Sequence, residues 1–538
     1  GYFCRNWLIV IAYPDKKPGC RFAPFAFPMK TGMSLRSICN FAYLLNERAM
    51  NKSIVIIGSG IAGLATAIRL RQAGNQVHVF EANDYVGGKL SEFKLGDFRF
   101  DAGPSLFTMP HFIEELFDLC AEPIDQYFKY NKKEIVCKYY YDDGTRFVAY
   151  SDQEKYIKEA SLIFNEKADS IRNYLSLSKQ KYDLTQNLFL TKSLHKFKTY
   201  LSLDTLKGIA SLSILGIHRN LNQENKKFFK NPLLIQLFNR YATYNGSSPF
   251  LTPGIMSLIP HLENHYGTFI PEGGMISIIN ALVSLSNKIG VQFHLNSKVE
   301  KILVNDSKSA NGVIVNDKKI SADIVVSNMD IVPTYRKLLP DFPAPEIVLS
   351  QERSSSALIF YWGIKQKFQE LDLHNIFFAK DYANEFKNIF EYHTIADDVT
   401  VYVNITAKDV LQDAPAGHEN WFVMVNAPGN TNQDWDEIIQ RTRNNILDKL
   451  SKQLGVDIAP LIVTESILDP RSIESRTQSY QGSLYGAASN NQFAAFLRHP
   501  NFSKRIQNLY FCGGSVHPGG GIPLCLLSAK ITSELILK

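Results

Sequence analysis

The chain has 538 residues, of which 45% are hydrophobic and 20% charged; that is more than one ordinary core accommodates, so two or more substructures are expected. The formal charge of +6 is gathered at one end, since residues 1–49 hold seven Lys/Arg against two Asp/Glu and leave 51 against 50 in the remainder. A near-neutral body carries no nucleic-acid footprint, and no run of 18 apolar residues marks a membrane-spanning helix.

Seven cysteines, at positions 4, 20, 39, 120, 137, 512 and 525, are odd in number and share no CxxC spacing. They read as buried or incidental thiols in a reducing, cytosolic setting, with no metal site. Residues 1–49 begin with Gly and show no sustained helix or strand period, whereas Met50 stands just before the first strand pattern. Translation is therefore expected to start at Met50, with residues 1–49 a non-native or disordered extension. The apolar run from Trp7 to Tyr13 is too short for a secretory signal.

The next stretch, SIVIIGSGIAGLATAIRLRQAGNQVHVFEANDYVGG, reads as strand, glycine turn, helix and second strand. Ile54 to Ile57 form a buried parallel strand that runs into Gly58, Gly60 and Gly63. These supply the tight turn, the close approach to a pyrophosphate and the close packing of helix on strand, with the helix N-terminus facing the phosphates. The second strand, Gln76 to Phe80, ends at Glu81, placed to accept from a ribose hydroxyl. Gly87, Gly88 and Lys89 follow, and their position after the acidic strand end assigns them to the same cofactor. LSEFKLGDFRF is a hairpin turning at Gly96-Asp97, and it leads to Asp101-Ala102-Gly103-Pro104.

Residues 110–121 read as helical, and EIVCKYYYDDGTRFVAY as a strand pair turning at Asp143-Gly144. From about 152 to 265 the pattern is helical. Within it, Leu184 to Leu221 mixes Leu, Ile and Phe with Lys192, His195, Lys196, Lys198, Lys207, His218 and Arg219, against the single acid Asp204. Two readings stand: a stretch lying in a membrane interface with cations toward headgroups, or a surface helix pair with a solvated basic face. Pro271 to Met275 opens a helix reaching Lys288, followed by the strands VQFHL, KVEKILV, NGVIVN and ADIVVSN. Residues 346–470 add ALIFYWGI, TVYVNIT, NWFVMVNAP and a helix from about 434 to 454. In the tail, LYFCGG is a short strand entering Gly513 and Gly514, then SVHPGGGIP passes Gly521 into a helix starting at Ile522. Glycine-guarded helix starts at both ends of the chain suit a flavin dinucleotide, one for the pyrophosphate and one for the pyrimidine side of the ring.

The GSGIAG turn with Glu81, the VGGK pair, FDAGPS and the closing GGSVHPGGGIPLCLLSAK together resemble the carotenoid desaturase branch of the flavin-containing amine oxidase superfamily, across residues 53–538. The resemblance implies an α/β fold, with a discontinuous Rossmann-like FAD-binding domain (residues 50–110, 271–345 and 471–538). An inserted α+β substrate domain (111–270 and 346–470) would have a helical membrane-facing part. It also implies dehydrogenation of long polyenes by hydride transfer to FAD at a membrane. Cofactor-binding residues are then Gly58, Gly60, Gly63, Glu81, Gly87, Gly88, Lys89, Gly103, Gly513, Gly514, Gly521 and Ile522. Lys89 stands where arginine is common in the family, which gives up bidentate geometry. RYATYNGSSP and HPGGGIP are more similar to 1-hydroxycarotenoid 3,4-desaturases than to phytoene desaturases, the alternative reading.

A polyene of about forty carbons would lose on the order of 30 kcal/mol on passing through water, so the substrate is expected to move directly from bilayer to protein. The resemblance implies a cytoplasmic enzyme on the inner face of the cell membrane, with a quinone or oxygen taking up its electrons. No catalytic base is evident. His517 is a candidate or merely shapes the cofactor turn; Arg240, Tyr241 and Tyr244 either face the cavity near a terminal hydroxyl or pack on the core. A carotenoid cis-trans isomerase, a flavin amine oxidase and a flavin-free prenyl-binding escort remain alternatives.

Overall fold

The computed structural model describes residues 51–186, 215–491 and 498–538. The expected extension 1–49 and all but the ends of the 184–221 stretch lie outside these residues. Asn51–Lys538 is built on two large sheets.

The first sheet is wholly parallel, in the order Leu509–Phe511, Ile324–Ser327, Ser53–Ile57, Gln76–Phe80, Gln292–His294. Its central strand is covered on both faces, which is why Ile54 to Ile57 is a continuous apolar run. Ile54 and Ile56 pack into a core with the helices Ile61–Gln72, Ile276–Lys288 and Ile522–Leu537. Val55 and Ile57 face the other way, into a core shared with the antiparallel strands Val299–Val304 and Ala310–Val315. Helix Ile61–Gln72 is buried on nearly every side, so its apolar and small residues form no one-sided stripe.

The second sheet has seven strands, in the order Ile462–Leu468, Ser356–Ile364, Glu419–Ala427, Val401–Ile405, His374–Phe377, Ile135–Tyr140, Arg146–Tyr150. All neighbours are antiparallel except the pair His374–Phe377 and Ile135–Tyr140. Every residue of Ser356–Ile364 is buried. Helix Trp435–Leu454 closes one face with Trp435, Ile446 and Leu450; Asp434 caps its start through Glu437 N–H, and Gly455 ends it in the left-handed region. Aromatic side chains of the strands Ile135–Tyr140 and Arg146–Tyr150 share a further core with helices Gln153–Phe164, Ala168–Thr185 and Pro232–Asn239.

The hairpin Glu92–Leu95/Phe98–Asp101 links the two sheets. Its chain comes from the glycine pair at 87 and 88, but Phe98 and Phe100 belong to the core of the second sheet, and Phe93 meets Tyr361 edge-on at 4.8 Å. The Tyr361 hydroxyl donates to Ala102 O at 2.8 Å and Asn420 Nδ2 to Arg99 O at 2.7 Å. The loop returning toward Gly103 is thereby fixed to the sheet that does not carry the glycine turns. Among the described residues no helix is long and apolar enough to cross a membrane.

Candidate functional site

Three strand ends of the parallel sheet converge on one place. Ser53–Ile57 delivers Gly58, Leu509–Phe511 delivers Gly513, and Ile324–Ser327 delivers Asn328 between them. A Cβ at Gly60 would lie 2.8 Å from Asn328 Nδ2, and one at Gly513 would lie 2.8 Å from Asn328 Oδ1. The side chain of Asn328 thus fills the space that these glycines leave. Gly63 does not face the cavity but sits behind it, where a Cβ would come 2.3 Å from Gly58 O, so only a hydrogen lets the helix close on the turn.

The other predicted cofactor residues, Gly58, Gly60, Glu81, Gly87, Gly88, Lys89, Gly103, Gly513, Gly514, Gly521 and Ile522, line a single cavity of about 1080 Å³, together with His517, Arg240 and Tyr244. That volume lies at the upper end of the roughly 300–1,000 Å³ usual for a ligand site. Helices Ile61–Gln72 and Ile522–Leu537 both start at the cavity wall, from Gly60 and Gly521. Neither has a side-chain cap or an acidic residue in its first turn. Their first N–H groups and dipole ends are therefore available to an anion or to ring oxygens, which is the donor set a flavin dinucleotide uses.

Glu81 is buried, with Oε2 accepting from Ser59 N and Oγ at 2.9 and 2.7 Å and Oε1 accepting from Asn83 N and Nδ2, both at 3.0 Å. The two backbone bonds aim the carboxylate, and the Asn83 amide and Ser59 hydroxyl are its two side-chain partners. Gly103 is pressed against the VGGK segment, and a Cβ there would stand 2.0 Å from Lys89 O. Lys89 itself is half-buried and donates to Ser483 O and Leu484 O, each at 3.2 Å. Burial lowers its ammonium to about 8, although Asp330 opposes the shift.

Residues outside the recognised motifs complete the cradle. Asp330 pairs with Arg353 at 2.6 Å, both buried. Arg498 donates to Tyr485 O at 3.1 Å and Ala487 O at 2.8 Å, and burial beside Arg353 lowers it to about 10. Tyr485 packs between two glycines, within 2.9 Å of where a Cβ of Gly246 or Gly520 would be. His517 is held through its backbone, its N–H donating to His499 O and its carbonyl accepting from Asn501 Nδ2 and Ser528 Oγ. Of these, His517 was named from its motif and Asn328 had a visible signal, a polar residue at the carboxyl end of ADIVVSN; Asp330, Arg353, Arg498 and Tyr485 had none.

The cavity is also walled by Val136, Ile376, Met256, Ile259, Leu262 and Phe422, with two buried polar groups among them. In the first, Glu263 accepts from Arg240 Nη2 at 3.1 Å, from the Tyr241 hydroxyl at 2.6 Å and from the Tyr244 hydroxyl. Burial opposes the charge on Arg240. The Tyr139 oxygen and the Glu263 carboxylate outweigh it and hold the guanidinium above its ordinary value. Arg240 and Tyr244 line the cavity, while Tyr241 is 1% exposed and packs in the core behind them. In the second group, Ser105 Oγ lies 2.8 Å from the Tyr402 hydroxyl, which lies 2.8 Å from His374 Nδ1. Burial lowers His374 to about 3, so its ring is neutral. Burial also raises the thiols of Cys137 and Cys512 to about 12, which leaves them unreactive.

Comparison with known proteins agrees with this geometry. The family described as flavin containing amine oxidoreductase matches residues 61–537. The chain is 56% identical to a 1-hydroxycarotenoid 3,4-desaturase of Flavobacterium sp. (strain P99-3), over 90% of this chain and 99% of that one. It is 31% identical to a phytoene desaturase of Fusarium fujikuroi, over 91% and 90%. The solved structure of putrescine oxidase bound to putrescine shares the fold, with a TM-score of 0.60 at 15% identity over 90% of this chain and 99% of that one.

Proposed function

The chain belongs to the flavin containing amine oxidoreductase family, and from that membership we propose that it is an FAD-dependent desaturase that forms the 3,4 double bond of a 1-hydroxylated carotenoid. The observation that carries this reading is the 56% identity over nearly the whole length of the Flavobacterium enzyme. The cavity supports it, because glycines and uncapped helix starts at one part give way to apolar walls at another.

Desaturation removes a hydride from one carbon and a proton from its neighbour. Bound FAD supplies the two-electron acceptor. The residues of the chain bind and orient. Gly58, Gly60 and the start of Ile61–Gln72 take the diphosphate, Glu81 the ribose, and Gly514, Gly521 and Ile522 the ring edge. Lys89 and Gly103 hold the loop between them, and His517 shapes the closing turn. The side chains of Ile376, Met256, Ile259 and Phe422 exclude water and keep the polyene extended. On this reading the parallel sheet belongs to the cofactor domain and the seven-stranded sheet to the substrate domain.

Substrate is proposed to arrive from a membrane surface through the 184–221 stretch. Tyr182 just before it, and Thr185 and Ile217 near its two ends, line the cavity. Electrons then pass to a quinone or to oxygen. Expression in cells that make 1-hydroxylated carotenoids tests the proposal. The expected product has lost two hydrogens and absorbs at longer wavelength. Unchanged pigment from a flavin-loaded protein would overturn it. Conversion of phytoene in preference to the hydroxylated precursors would favour the second reading, which the Fusarium relative supports.

A further inference from the structure

The proposed substrate places its one polar group beside the bond that reacts. With bonds near 1.5 Å, the oxygen on carbon 1 lies at most about 4 to 5 Å from carbons 3 and 4. Whatever binds the hydroxyl must therefore stand next to the cofactor wall and must offer a hydrogen-bonding group that no protein partner already uses.

The two buried polar groups meet these needs differently. Glu263 already accepts from Arg240, Tyr241 and Tyr244. A hydroxyl donating to that carboxylate would have to displace an internal donor, and the group leaves Arg240 Nε without a partner among the described residues. The chain Ser105–Tyr402–His374 starts two residues beyond Gly103, the glycine pressed on Lys89, and Ser105 reaches His374 through a single hydroxyl. His374 is 3% exposed and lines the cavity, yet its Nε2 has no hydrogen-bond partner among the described residues.

The tautomer follows from the neighbours. Asn404 Nδ2 donates to Leu373 O at 3.0 Å, which fixes the amide with its NH₂ toward the ring, and it stands 3.3 Å from His374 Nδ1. Nδ1 therefore accepts, the Tyr402 hydroxyl donates to it, and the ring proton sits on Nε2. A hydrocarbon chain end would leave that buried N–H unsatisfied, whereas an alcohol oxygen accepts from it.

Resting on the desaturase reading above, we propose that His374 Nε2 donates a hydrogen bond to the 1-hydroxyl of the substrate. Tyr402, Ser105 and Asn404 act as positioning residues that hold the ring in this tautomer. The site selects hydroxylated chain ends over their hydrocarbon counterparts, and it sets the register in which carbons 3 and 4 meet the cofactor.

The test uses the flavin-loaded enzyme with a matched pair of polyenes that differ only in the 1-hydroxyl. Two quantities are read: the ratio of kcat/KM values, and the ratio of equilibrium affinities for the desaturated products, measured without turnover from the polyene absorbance shift. The wild type is expected to prefer the hydroxylated member by roughly 10- to 100-fold. H374F should bring both ratios near one, H374Q, which keeps a donor, should restore part of the preference, and Y402F should reduce it by a smaller factor. A preference that survives in flavin-loaded H374F and Y402F would overturn the proposal, as would one that collapses in E263Q but not in H374F. If the wild type desaturates neither polyene, the desaturase reading itself falls.

Discussion

The two parts of the cavity are built in opposite ways. At the end proposed for the cofactor, backbone predominates: glycines at strand ends, uncapped helix starts, and carbonyls that accept from Lys89 and Arg498, with Glu81 and Asn328 among the few side chains. At the substrate end the contacts are made by side chains: an apolar wall with Arg240–Glu263 and Ser105–Tyr402–His374 set into it. A backbone site tolerates no added atom but has little to titrate. A side-chain site can be re-lined by substitution on an unchanged fold, and this fold is shared with putrescine oxidase. Damage to the first should therefore abolish cofactor binding outright, and damage to the second should change stability or selectivity with cofactor in place.

The largest effect is expected from G63V. Even one added carbon would fall 2.3 Å from Gly58 O, a backbone atom that cannot move without opening the turn. The purified protein should be colourless, with FAD affinity lowered by more than 100-fold. Retention of a full flavin spectrum would show that helix and strand are not locked here. G96A is the control, since nothing lies within 4 Å of a Cβ at Gly96; that position lies in the left-handed region, so a small loss of stability with flavin retained is the expected outcome.

This asymmetry also governs what could be read from the residues alone. The cofactor end is local. A strand, a glycine turn and a helix are contiguous, so SIVIIGSGIAG and HPGGGIP carried their geometry in their spacing, and the parallel sheet followed from it. Asn328 was legible in principle as the polar end of a strand. The substrate end is non-local, for Ser105 and Tyr402 are 297 positions apart and no pattern joins them. Glu263 sits as a lone acid in PHLENHY, and only the fold brings it to the Arg240 turn. The alternation in LSEFKLGDFRF revealed a hairpin, but a period of two says nothing about which sheet its aromatic face will meet, and that face packs on the second sheet.

An intermediate effect tests the substrate end. R240M leaves the Glu263 carboxylate buried with only tyrosine hydroxyls as partners, and breaking a buried pair from one side costs roughly 3–5 kcal/mol. The melting temperature should fall while the flavin remains bound. R240M/E263L should recover part of the loss, because it removes the stranded charge. A double variant no more stable than R240M would mean that the pair is held chiefly by packing of the guanidinium on Tyr241, 4.5 Å from its ring centre.

The smallest effect concerns a residue of the backbone-built end that titrates nearest neutral pH. Lys89 is lowered to about 8 by burial, and its two acceptors are neutral carbonyls. Below about pH 8 the buried ammonium is charged and its destabilising contribution to the cofactor-free protein is fully present. Between about pH 8 and the unfolded value near 10.4 the folded protein has released the proton and the unfolded chain has not, so that contribution is relieved as pH rises. An anionic diphosphate in the adjoining cradle favours the charged form, so FAD binding above pH 8 must be accompanied by proton uptake. The affinity of the wild type should weaken by up to about tenfold per pH unit over that range. In K89M the same interval should be flat, and in K89R the charge should persist, so any loss there reports geometry rather than titration. Equilibrium dialysis of FAD at pH 7 and pH 9.5 separates the cases. Equal wild-type affinities, or the same slope in K89M, would remove Lys89 from the cofactor site and leave that end of the cavity a purely backbone device.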